Sequence, residues 1–121
     1  MLAGNYNIYC EQGSTFSRFL TIQVPDEVDP SIVTPYDLTG YTARMHVRRT
    51  IESATIIAEL TTENGLITLG NATGTILIEM PANMTASIST SGVYDLEIVT
   101  SGGAVQRVVQ GAFNLNQEVT R

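Results

Sequence analysis

Apolar residues recur at every second position over most of the chain, and no long stretch carries a helical period of three to four. Residues 41–49, Tyr-Thr-Ala-Arg-Met-His-Val-Arg-Arg, show the alternation most cleanly. Tyr41, Ala43, Met45 and Val47 fall on one face and Thr42, Arg44, His46 and Arg48 on the other, which predicts a half-buried antiparallel strand. Residues 16–24 place Leu20, Ile22 and Val24 together, opposite Thr21 and Gln23. Further strands follow at 55–61 (Ile56, Ala58, Leu60), at 66–69 after the turn Glu63-Asn64-Gly65, and at 75–80 (Ile76, Ile78, Met80). Residues 93–100 set Tyr94, Leu96 and Ile98 inward against outward Asp95 and Glu97. The run Ser101-Gly102-Gly103 predicts a tight turn into a last strand from Ala104, because adjacent glycines supply the positive φ that such turns need.

Two segments interrupt this pattern. Residues 25–35, Pro-Asp-Glu-Val-Asp-Pro-Ser-Ile-Val-Thr-Pro, hold three prolines and three acids and are expected to form an acidic loop that cannot pair in a central strand. Residues 81–90 begin with Pro81 and space Met84 and Ile88 four apart, as one helical turn with both side chains packed beneath it would require. A strand, a helical corner over 81–92 and then Gly92-Val93-Tyr94-Asp95-Leu96 is the order found before the sixth strand of an immunoglobulin-type sandwich, where a tyrosine hydroxyl bonds back to the corner backbone. Tyr94 is assigned that role, the other reading being a plain core tyrosine whose hydroxyl reaches water. Gly111 breaks the last alternation and is expected to be a bulge that resets the register for Phe113 and Leu115. With turn signals every ~8–12 residues, the prediction is an all-β, immunoglobulin-like antiparallel β-sandwich of about 7–9 short strands. Residues 1–121 form one domain. The paired cysteines and central tryptophan of antibody domains are absent: Cys10 stands alone and tryptophan does not occur.

Composition narrows the partners. The six cations are all arginine against twelve carboxylates, for a net charge of −6. Long-range repulsion from phosphate backbones and anionic lipids argues against nucleic-acid and membrane partners. Charged residues are only 15%, below the usual quarter, which suggests a surface that is neutral or covered by partners. An arginine-only set reads either as lineage bias or as forks kept for interfaces, where a planar guanidinium loses less entropy for each bond formed. The first residues, Met1-Leu2-Ala3-Gly4-Asn5, lack a basic region followed by an apolar run, so no secretory leader is expected.

Catalytic equipment is sparse. His46 is the only histidine and alternates outward between Arg44 and Arg48, without a nucleophile and orienting group in view. Cys10 suits a buried small hydrophobe better than a nucleophile. Asp95 and Glu97 share one strand face, yet any outward sheet face produces such a pair and no aromatic cluster accompanies them. Asp26, Glu27 and Asp29 lack the spacing of a calcium loop. Gly70-Asn71-Ala72-Thr73-Gly74 has no following lysine and opens a strand, so it is a turn and not a phosphate cradle. The expectation is a protein that is not an enzyme and has no cofactor and no metal.

The surface remains. Arg44, His46 and Arg48, with Arg49 beside them, make a basic stripe, while Asp95, Glu97 and the 25–35 loop are expected on other faces. Segregated charge of this kind fits contact with copies of the same chain or a fixed neighbour. The other reading is a cross-strand ladder of surface ion pairs, each worth little.

The run Asp37-Leu38-Thr39-Gly40-Tyr41-Thr42-Ala43-Arg44-Met45-His46-Val47-Arg48 resembles a segment of small structural proteins of tailed bacteriophages. So do 92–98, 105–111 and the closing 116–121, Asn-Gln-Glu-Val-Thr-Arg, giving a likeness over roughly residues 37–121 to immunoglobulin-like N-terminal domains of baseplate and receptor-binding-protein scaffolds. The resemblance implies a virion structural protein, assembled in the host cytoplasm, acting as a tail, baseplate or fibre-attachment adaptor or as capsid decoration. Its partners would be other virion proteins and further copies of itself, in a homo-oligomer or symmetric array. A carbohydrate- or host-surface-binding module is the alternative, for which only Tyr6, Tyr9 and Tyr36 offer aromatic platforms.

Overall fold

A computed structural model describes residues 3–120, so Met1, Leu2 and Arg121, which the resemblance and the leader argument touch, lie outside the described residues. In chain order the strands are β1 (Gly4–Asn5), β2 (Ile8–Glu11), β3 (Phe16–Thr21), β4 (Gln23–Pro25), β5 (Val33–Pro35), β6 (Thr42–Arg48), β7 (Ile56–Thr61), β8 (Ile67–Leu69), β9 (Thr75–Met80), β10 (Gly92–Val99) and β11 (Val105–Asn116). A single-turn helix, α1 (Ala82–Ala86), follows Pro81. The larger sheet runs β1-β11-β10-β6-β7, with β2 also on β11, and the smaller runs β3-β9-β8. β1 and β2 pair parallel with β11, and the other pairs are antiparallel. This partition is that of a variable-type immunoglobulin sandwich, in which the second, fifth and fourth strands face the last, sixth, third and inserted strands. The chain is therefore an all-β, immunoglobulin-like sandwich.

The inner faces meet in one core. Ala43, Met45, Val47, Leu60, Leu96, Ile98 and Phe113 from the larger sheet pack with Phe16, Ile67, Ile76, Ile78 and Met80 from the smaller. β6 buries every second residue as its alternation requires. The run that carries the phage resemblance has a structural job here. Asp37 Oδ1 accepts hydrogen bonds from the Thr39 amide (3.0 Å) and hydroxyl (2.6 Å), and Tyr41 N–H donates to the Leu38 carbonyl (3.0 Å). Gly40 takes φ +80°, which L side chains resist, and Leu38 becomes fully buried at the mouth of the core.

Several expectations change. Gly111 is not a bulge. The register slips between Leu96 and Glu97, where Val109 and Arg107 are the successive partners and Val108 is the extra residue. Gly111 sits in regular pairing with Tyr94, and what it supplies is space, because a Cβ there would collide with the Tyr6 carbonyl. Tyr94 is also re-aimed: its hydroxyl donates to that Tyr6 oxygen at 2.5 Å, not to the corner backbone. With Asn7 Oδ1 accepting the Ala112 amide (3.1 Å), these contacts fix the jog between β1 and β2. Burial pushes the Tyr94 phenol up to about 12, with Tyr6 adding to the shift.

The corner is held by a residue that periodicity did not mark. Ile88 is buried and Met84 packs against the core as expected, but Thr85 is fully buried between them. Its hydroxyl donates toward the Ser14 carbonyl (2.8 Å) and accepts the Gly13 amide (3.1 Å), tying α1 to the β2–β3 turn. The 25–35 segment is more than a loop. β4 and β5 pair with each other as a two-stranded arm outside both sheets, which is where prolines at a strand edge are tolerated. Val24, expected inward beside Leu20 and Ile22, leaves the sandwich on this arm and is exposed. On the open flank, the Arg18 guanidinium donates to Ser17 and Tyr9 carbonyls (both 2.9 Å) and lies 4.8 Å from the Phe16 ring centre. A charge placed there blunts the free edge of β3.

Candidate binding face

The outer face of the larger sheet is laid out in rungs across β7, β6, β10 and β11, because residues opposite one another in antiparallel strands share a face. One rung reads Thr61, Arg44, Glu97, Arg107 and the next Glu59, His46, Asp95, Gln110. The third reads Ile56, Arg48, Val93, Ala112. Ile56 joins it because a bulge at Ile57 turns the residue outward, against the inward position that its spacing predicts.

The first two rungs alternate in sign. Arg44 Nε lies 2.8 Å from Glu97 Oε1, Arg107 Nε lies 3.3 Å from Asp95 Oδ2, and His46 Nε2 lies 2.9 Å from Glu59 Oε2. Arg48 Nη2 approaches His46 Nδ1 at 3.4 Å. The expected separation of a basic stripe from Asp95 and Glu97 is thereby corrected. β10 is the direct neighbour of β6, and the acids are interleaved with the arginines on one face. Exposed pairs of this kind contribute about 0–1 kcal/mol each.

The third rung differs. Arg48 donates to the Ser53 (3.0 Å) and Ala54 (3.1 Å) carbonyls and forms no ion pair among the described residues, and neither does Arg49. Ile56 and Val93 flank Arg48, and Ile51 on the β6–β7 loop stands 83% exposed. A shallow trough of about 520 Å³ runs from here over the second rung, lined by Asn5, His46, Arg48, Ile51, Val93, Asp95, Glu97, Arg107, Gln110 and Gly111 and floored at Tyr94.

The remaining candidates lie elsewhere. Cys10 is buried beneath Arg18. Burial pushes its thiol up, with Arg18 pulling the other way. Asp26 and Asp29 use their carboxylates to close the tip of the arm: Asp26 Oδ1 accepts the Val28 (2.8 Å) and Asp29 (3.1 Å) amides, and Asp29 Oδ1 accepts the Ser31 hydroxyl (2.6 Å) and amide (3.1 Å). These bonds hold both carboxyls below the ordinary range. Among the described residues no three His, Cys, Asp or Glu side chains gather as a metal site. Tyr6 and Tyr9 lie at the β1–β2 flank, whereas Tyr36 stacks edge-on against Tyr41 and shares a 2.9 Å hydroxyl contact with it, so the three form no row.

No family model and no curated protein matches the chain. Among solved structures, it is similar to the first immunoglobulin-like domain of human CD48 antigen at 11% identity and a TM-score of 0.39, covering 98% of this chain and 88% of that one. Domains 3–5 of the Drosophila OTK extracellular region give 15% identity and a TM-score of 0.38, with 95% of this chain covering 33% of that one. At these scores the likeness adds nothing to the strand partition, which defines the sandwich on its own.

The structure brings Arg44, His46, Arg48, Asp95 and Glu97 onto one face and leaves Arg49 just past the end of β6. Sequence reasoning missed Glu59, Arg107, Gln110 and Ile51. Glu59 and Arg107 alternate outward in their own strands and were within reach of the pattern. Ile51 carried a fainter signal, an isoleucine alone among polar loop residues.

Proposed function

We propose that the chain is a non-enzymatic structural module that works through protein–protein contacts on the outer face of its larger sheet, within the particle of a tailed bacteriophage. The observation that carries the first part is the third rung. Arg48 there has no carboxylate partner among the described residues, it lies between Ile56 and Val93, and exposed Ile51 stands beside it. An arginine in apolar surroundings, its guanidinium held by the Ser53 and Ala54 carbonyls and without a carboxylate, is among the side chains enriched where protein interfaces bind most tightly. The ion-paired rungs around it form the polar rim that such contacts have. The phage setting rests on the run from Asp37 to Arg48, together with the low charge and the arginine-only basic set.

Mass spectrometry of purified particles from the source phage tests the setting, with the chain expected at stoichiometric abundance. Absence from particles overturns it. The face is tested by Ile51→Asp, a substitution at an exposed position that is expected to reduce incorporation at least tenfold. Unchanged incorporation removes the third rung as the contact.

A further inference from the structure

We infer that the third rung receives the β4–β5 arm of a second copy of this chain, which deepens the reading above by naming the partner. The arm and the third rung lie at opposite ends of the sandwich. β6 begins at Thr42 opposite Val99, next to the segment that carries the arm, and ends at Arg48 opposite Val93. Seven residues of strand separate the two ends, about 20 Å at the usual rise. The arm therefore cannot fold back onto its own third rung, and the contact is between copies.

Three properties match the arm to that site. From Ile22 to Tyr41 the chain holds Asp26, Glu27, Asp29 and Asp37 and no cation. The receiving end offers exposed Arg49 beside Arg48 at the end of β6, both without ion pairs among the described residues, and Glu52 in the adjoining loop pairs with neither. Second, the arm exposes Val24, Val28, Ile32 and Val33, and Val28 at its tip is 94% exposed. The receiving end exposes Ile51 and Ile56. Third, the tip is already ordered. Asp26 holds the Val28 and Asp29 amides, Asp29 holds Ser31, and Asp26 N–H donates to the Ile32 carbonyl at 2.8 Å. A tip fixed before contact loses little conformational entropy on docking. The arm of one copy and the third rung of the next are different surfaces, so two copies can exchange arms in a closed two-fold pair, or copies can add head to tail into a ring or a filament.

Sedimentation velocity of the full chain across concentrations up to about 1 mM tests this. The wild type is expected to associate, as an arm-exchanged dimer or a larger assembly, and less so as salt rises. Val28→Asp removes the arm and Arg49→Glu with Ile51→Asp removes the receiving end. All three positions are exposed, so circular dichroism should report the wild-type fold in both variants. Each variant alone is expected to stay monomeric. Mixed, they should form a 1:1 dimer that grows no further, since one supplies the intact rung and the other the intact arm. Association of either variant like the wild type, or a mixture that stays monomeric, overturns the proposal. A monomeric wild type at the highest concentration also overturns it. That outcome leaves the outer face to the incorporation experiment with Ile51→Asp, which reads contacts with any virion protein.

Discussion

The inner and outer faces of β6 and β10 are built from the same two strands, yet different interactions order them. Inward, Met45, Val47, Leu96 and Ile98 are fully buried, and what they require is volume and apolarity. Any neighbour with the right shape would serve, so the pattern within one strand is enough to mark them. Outward, Arg44 meets Glu97 and His46 meets Glu59, and each meeting depends on which strands are adjacent and in what register. Residues 44 and 97 stand 53 positions apart, and nothing local in either strand encodes the encounter. The inner face carries the stability and the outer face is left free for specificity.

Substitutions can break this contrast, beginning with the largest effect. Met45→Asp or Leu96→Asp places an unpaired carboxylate at a site with no solvent exposure, and should cost about 4 kcal/mol or more. That is much of the ~5–15 kcal/mol that holds a domain of this size together. Thermal melts by circular dichroism should lose their cooperative transition, and an unchanged midpoint would remove the core described here. Gly111→Ala forces a methyl against the Tyr6 carbonyl and is expected to destabilise by about 1–3 kcal/mol in urea titration.

Tyr94→Phe removes the hydroxyl bond to Tyr6 and should cost about 1 kcal/mol at neutral pH. It also has a pH signature. The Tyr94 phenol is raised from 10.0 to about 12 in the folded chain, so below pH 10 both states keep the proton and the contribution is intact. Between pH 10 and about 12 the unfolded state ionises first and stability falls. The melting midpoint of the wild type should drop across that window more steeply than that of Tyr94→Phe. Some alkaline loss should persist in the variant, because the hydrogen bond to Tyr41 also raises the Tyr36 phenol. The smallest effect lies on the outer face. A double-mutant cycle of Arg44→Ala and Glu97→Ala should return a coupling of about 0.2–1 kcal/mol that shrinks with added salt. A coupling several times larger would mean that the ladder stabilises the fold, and the contrast between the faces would fail.

The amino-acid sequence by itself determined the strands β3 and β6 to β11, the burial of β6, β9 and β10 and the helical corner after Pro81. Each of these follows from periodicity or from backbone chemistry that acts within a few residues. Only the tertiary structure decided that Tyr94 reaches Tyr6, that Val108 and Ile57 are the bulged residues, that Thr85 pins the β2–β3 turn and that the 25–35 segment is a paired arm. It also decided the sign pattern of the outer face, where Asp95 and Glu97 lie among the arginines. The reason is physical: alternation says which way a side chain points, while the strand pairing and register that bring distant residues together are set by how the two sheets close over their common core.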